Sequence, residues 1–237
     1  MQINRDNIKA VIFDLDDTLF QTSLYYKENM IEMAEYAIKK FEGESNSKKV
    51  EEIYLEAVQI YKREKKPLLI DDLIIAAIKN IYSNNLDSDI KKFIEEKSKK
   101  FYNQSPKLHP DSIDVIKRFI DRGISIAIHS HAQPEWTDIK VKYIEKELLN
   151  KYGIKIKIPK YSSLINEKKS SDNWSKAIKK FNFDLTKTLV IGDNYEDDIL
   201  SAKKAGIKHL IFINKASLDI KDKGIKQIKS IEELSTF

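Results

Sequence analysis

The chain contains no cysteine, which removes disulfides, thiolate metal sites and thiol nucleophiles from the chemistry open to it. The first ten residues, MQINRDNIKA, hold no signal-peptide stretch, and no later run reaches membrane-spanning length. A cytoplasmic protein with no membrane partner is the expectation. There is no internal repeat and no low-complexity tract beyond a general richness in Lys, Ile and Asn. Nor is there a clustered basic stripe. The formal net charge is +5, but the cations are scattered along helical patterns among 37 acids, as on solvated faces. No nucleic-acid partner is therefore expected, while a modest positive field still attracts a phosphorylated metabolite.

What is present is enough apolar matter for a sizeable core: 41% of 237 residues, with ten Phe and eleven Tyr. Ala10-Val11-Ile12-Phe13, within Lys9–Leu15, is an unbroken apolar run, the mark of a central strand covered on both faces. Further strands are predicted at Ile124–Ile128, Ile154–Ile158, Thr188–Ile191 and His209–Ile213. Helical patterns separate them at Asp111–Arg122, Glu135–Lys151, Asp172–Phe181 and Tyr195–Ala205. This alternation argues for parallel βαβ units, hence an α/β fold with a doubly wound parallel sheet. From about Ser23 to Asn103 the chain carries four helical patterns and no convincing strand. The expected organisation is an α/β core from residues 1–20 and 105–237 with a smaller, all-helical second domain at 21–104.

Chemistry is expected at the carboxyl end of the first strand, where open α/β sheets bind ligands. There stands Asp14-Leu15-Asp16-Asp17-Thr18. In an extended segment Asp14 and Asp16 point the same way. Two carboxylates so placed are costly unless a cation or a shared proton separates their charges. The stretch Val11–Leu19 closely resembles the first signature of the haloacid dehalogenase superfamily, in its phosphatase branch with a helical cap inserted after that motif. Later segments resemble the remaining signatures. Ile124–His129 ends in Ser130, with His131 where the family more usually has Asn. Lys168 lies six residues before Trp174 and 25 before Asp193, offsets that suit the family's lone lysine, with Lys169 the alternative. Gly192-Asp193-Asn194-Tyr195-Glu196-Asp197-Asp198 resembles the acidic loop.

The resemblance implies a Rossmann-like core and a division of labour. Asp14 is the nucleophile that becomes an aspartyl phosphate. Asp16 protonates the leaving oxygen and then activates water. Ser130 and Lys168 stabilise charge on the transferring oxygens. Mg2+ is implied as cofactor, held by Asp14, the Asp16 carbonyl and Asp193. Leu15, Asp16, Ser130, His131 and Lys168 surround the phosphate, with Thr18, Asp197 and Asp198 behind them. Asp197 orients Lys168, with Asp198 as substitute. Retention of Asp16 argues against carbon–halogen cleavage, since dehalogenases of the superfamily lack an acid there. Asp17, where sugar-phosphate mutases usually carry Gly, favours a phosphatase acting on a small phosphorylated metabolite. A phosphomutase, a phosphonate hydrolase and a phosphate-binding module without turnover stand as alternatives, and both monomer and homodimer stay open. The cap and the loop after the first motif would select the leaving group, with Gln21, Tyr25, Tyr26 and Lys27 as candidate contacts.

Overall fold

The computed structural model describes residues 7–64, 69–82, 86–163 and 169–236. Two compact units result. One comprises the chain up to Gln21 and from Pro106 onward, and the other is Thr22–Ser105.

The first unit is built on six parallel strands: β1 (Ala10–Phe13), β2 (Ser125–Ser130), β3 (Lys160–Ser162), β4 (Thr188–Gly192), β5 (His209–Ile213) and β6 (Lys226–Ile228). Their order is β3-β2-β1-β4-β5-β6, the doubly wound arrangement read from the sequence. Side chains alternate across the pleat. Val11, Phe13, Ile126, Ile128, Leu189 and Ile191 join one core with Val115, Phe119, Val141 and Ile144. Ile12, Ala127, Val190, Leu210 and Phe212 join another with Trp174, Ala177, Ile199 and Ala202. Both faces are covered, by α5 (Ser112–Asp121) and α6 (Pro134–Tyr152) on one side and α7 (Ser171–Phe181) and α8 (Ser201–Lys204) on the other. That is why the central strands are continuous apolar runs rather than alternating ones.

Two expectations need correction. Ile154–Ile158 belongs to no ladder. Its isoleucines pack against the core, the Ile158 amide donates to the Glu145 carboxylate at 2.8 Å, and pairing with β2 begins only at Lys160. Pro159, between them, has no N–H to donate. The segment read as one helix over Tyr195–Ala205 opens as a wide π-helical turn, Tyr195–Leu200, and only then becomes α8. The edge strand β6 was not foreseen, because Lys226-Gln227-Ile228 is short and mostly polar and exists through pairing with β5.

The second unit has four helices among its described residues: α1 (Thr22–Glu42), α2 (Ser47–Glu64), α3 (Ile70–Tyr82) and α4 (Ser88–Tyr102). Each buries one stripe at three- and four-residue spacing, as in Val50, Ile53, Ala57 and Ile60 of α2. Asp87 caps α4 by accepting from the Asp89 amide at 3.0 Å. Tyr25 stacks on Phe101 at 4.5 Å, Tyr26 meets the Tyr102 hydroxyl, and the Lys27 ammonium lies over the Tyr54 ring. Among the described residues no helix is long and apolar enough to cross a membrane.

Candidate active site

The strand order reverses direction at β1, which lies between β2 and β4. Ligand crevices form at such switch points, outside the carboxyl ends of the strands. Register pairs Phe13 with Ile128 on one side and Ile191 on the other, so the residues just beyond β1, β2 and β4 converge. Asp14 leaves β1 with its amide donating to the Ile191 carbonyl at 3.0 Å. The chain then turns sharply. The amides of Leu19 and Phe20 both donate to the Leu15 carbonyl, and Asp17 takes a left-handed φ of 57°. Thr18 is fully buried, and its hydroxyl donates to Asp193 Oδ1 at 3.3 Å, joining the first motif to the acidic loop.

Asp14 is buried against the ammonium of Lys169, which also donates to Asp198 Oδ1 at 2.6 Å. Lys168 lies outside the described residues. Among the described residues, the lysine bonded to Asp14 is Lys169, the alternative to Lys168, and its second acid is Asp198. Asp197 instead accepts from the Asn194 side chain at 3.3 Å, while its carbonyl takes the Trp174 indole N–H at 2.9 Å. The other oxygen of Asp198 accepts from the Asn194 amide at 3.0 Å, so both of its oxygens are engaged.

Burial raises the Asp14 pKa well above the carboxylate range. Lys169 opposes that rise, and the charges of Asp198, Asp193 and Asp16 add to it. Asp193 is pushed up to about 7, chiefly by burial and then by Asp198 and Asp17, against Lys215 and Lys169. Burial also pulls on Lys169, but its two carboxylates together outweigh that and hold its pKa above the ordinary lysine value. Three carboxylates facing one ammonium leave an excess of negative charge. Asp14, Asp193 and Asp198 offer oxygens that lie within 4.8 Å of one another. Among the described residues, no hydrogen bond falls on Oδ2 of Asp14 or of Asp193. Carboxylate oxygens are the donors magnesium takes, so this donor set fits such an ion.

Ser130 ends β2 fully buried, and its hydroxyl has no hydrogen-bond partner among the described residues. An orphaned buried donor normally finds a partner, and an anionic oxygen would provide one. The structure does not join His129 to the acid cluster. Its Nε2 lies 3.0 Å from the Ser163 hydroxyl, and its ring meets Trp174 edge-on at 4.3 Å. Burial, followed by the charges of Lys169 and His131, holds its pKa well below the usual histidine value.

Two cations at this site were not singled out from the sequence. Lys140 of α6 is fully buried, and its ammonium is bonded to Asp16 Oδ1. Burial lowers its pKa, partly offset by Asp16. The available signal was a lysine on an otherwise apolar stripe of α6, at four-residue steps from Trp136 and Ile144. Lys215, after β5, donates to the Asp17 carbonyl and lies 3.1 Å from His109 Nε2. Gln21 donates to the Leu108 carbonyl at 3.0 Å.

The sequence matches the haloacid dehalogenase-like hydrolase family over residues 8–206. The chain belongs to that family. No curated protein matches it. Among solved structures it is similar to a protein from Thermotoga maritima assigned as a β-phosphoglucomutase, at 20% identity with 97% of each chain covered and a TM-score of 0.67. It is similar to a magnesium-bound hydrolase assigned to the same superfamily from Bacillus subtilis, at 16% identity with 97% of each chain covered and a TM-score of 0.62. It also resembles the 2-haloacid dehalogenase of Pseudomonas syringae, at 18% identity, covering 97% of this chain and 96% of that one with a TM-score of 0.57. Likeness at these identities shows the shared fold alone.

Proposed function

We propose that the chain is a magnesium-dependent phosphatase that hydrolyses a small phosphorylated metabolite through an aspartyl phosphate on Asp14. The observation that carries this reading is the buried pairing of Asp14 with Lys169, two residues before an acid held by a lysine of its own. A carboxylate in line with phosphorus needs no base to activate it. An Asp14 oxygen attacks the phosphorus, and the bond from phosphorus to the leaving oxygen breaks as that oxygen takes a proton from Asp16. Water then attacks the phosphorus and gives its proton to Asp16, and the bond to Asp14 breaks, releasing phosphate. Lys169 and the Ser130 hydroxyl face the charge that builds on the phosphoryl oxygens. Magnesium, held by Asp14, the Asp16 carbonyl and Asp193, would supply the positive charge that offsets repulsion between the anionic nucleophile and the anionic ester. The engaged oxygens of Asp198 suit it to fixing Lys169 and the Asn194 amide. The acid at position 16 favours phosphoryl transfer over carbon–halogen cleavage.

The test is phosphate release from p-nitrophenyl phosphate and a panel of phosphorylated metabolites with magnesium present, using Asp14→Asn as the blank. Loss of the nucleophile is expected to cost about 10³-fold or more in kcat. A variant that keeps the wild-type rate would falsify the mechanism.

A further inference from the structure

Lys140 is out of keeping with its surroundings. On α6 it continues the buried row Trp136, Ile144 and Leu148, where the packing otherwise asks for an aliphatic side chain. A lysine near a surface extends its ammonium to water, yet 0% of this side chain is exposed. Burying an ammonium is costly unless it is paired. Here it meets the face of Trp136, with Nζ 3.3 Å from the ring centroid, and the carboxylate of Asp16, whose side chain is 29% exposed. Asp14 and Asp16 therefore each have their own buried ammonium, Lys169 and Lys140.

We infer that Lys140 is a positioning residue for Asp16, an ammonium in the core that fixes one oxygen of the part-exposed carboxylate that meets the leaving group and the attacking water. Asp16 sits at a sharp turn, where its side chain has several rotamers to choose from. A fixed partner selects one of them before substrate arrives. This inference rests on the phosphatase reading for the identity of the reaction, though the pairing itself does not.

The test is a double-mutant cycle of Lys140→Met with Asp16→Asn, with all four proteins assayed on p-nitrophenyl phosphate and on glycerol 2-phosphate, and unfolded in urea. Methionine keeps the length and volume and removes the charge. Lys140→Met is expected to lower kcat on the alkyl ester by about 10- to 100-fold with KM changed less than about threefold. A smaller loss is expected on the aryl ester, whose leaving oxygen needs little protonation. In the Asp16→Asn background the Lys140→Met loss disappears. A merely structural lysine would instead lower both esters alike and add its loss to that of Asp16→Asn; either result, or an unchanged kcat, overturns the inference. If the wild type hydrolyses no ester, the phosphatase reading fails by itself. The urea cycle then stands alone, and zero coupling between the two substitutions overturns the pairing too.

Discussion

Lys169 is where a single side chain decides the state of the site. Among the described residues it is the one cation hydrogen-bonded to both Asp14 and Asp198. Removing it strands two buried carboxylates, a change that typically costs about 3–5 kcal/mol. Lys169→Met is therefore expected to lower the urea midpoint strongly and reduce kcat by about 10²- to 10³-fold. Lys168→Met is expected to cost less in both assays, and an equal or larger loss there would reassign the lysine. At the same scale, His129 makes stability depend on pH. Its pKa in the fold lies well below the ordinary value because it is buried, and the nearby cations add to that. The unfolded chain, at about 6.5, then binds more protons than the folded one below that pH. The contribution of His129 is complete above about pH 6.5 and is lost as the pH falls below it, by up to about 1.4 kcal/mol per pH unit. Urea midpoints at pH 7.5, 6.5 and 5.5 should decline more steeply for the wild type than for His129→Gln; parallel declines would show that the imidazole does not titrate in this way.

Among the elements, the acidic loop and its π-helical turn determine which aspartate reaches the lysine. The Ser201 amide reaches back five residues to the Glu196 carbonyl, and the Asn194 side chain caps the amides of Glu196 and Asp197. Asp198 is thereby buried against Lys169, while Asp197 meets α7 through its carbonyl and the Trp174 indole. Gly192 makes room for this, because a Cβ there would overlap the Asp198 side chain. Gly192→Ala is expected to destabilise the chain by about 1–3 kcal/mol and to lower kcat by displacing Asp198 from Lys169. Thermal unfolding together with the phosphate-release rate checks this, and a stable variant at full rate would show that the loop yields without moving Asp198. None of this was visible in a pattern of acids after a strand. A wide first turn and a regular one share the same apolar spacing, and a one-residue difference decides whether Asp197 or Asp198 points inward.

The sheet gathers residues from the carboxyl ends of β1, β2 and β4, and with them a concentration of negative charge around Asp14. Any cation that binds the folded chain and not the unfolded one raises its stability, by about 2.7 kcal/mol at a hundred times its dissociation constant. Adding magnesium to chelator-treated protein is expected to raise the melting temperature. Asp193→Asn is expected to abolish most of that rise while raising the melting temperature in chelator, since it relieves repulsion. A magnesium response unchanged in Asp193→Asn would remove that residue from the ion site.

Over the whole molecule, the amino-acid order alone determined what depends on near neighbours. Continuous apolar runs marked β1, β2, β4 and β5 because strands covered on both faces have no polar side. The segment Asp14–Thr18 and the loop from Gly192 were legible because each lies directly at a strand end. Other features depended on residues far apart in the chain. Tertiary pairing made a strand of Lys226–Ile228 and withheld one from Ile154–Ile158. It chose Asp198 as the acid on Lys169, and it drove Lys140 into the core against Asp16. In a sequence this rich in lysine, a place on an apolar stripe or an offset to a later motif singles out no one lysine. What sets Lys140 and Lys169 apart is the loss of water around their ammonium groups and the carboxylates that compensate for it, and only the folded chain brings those together.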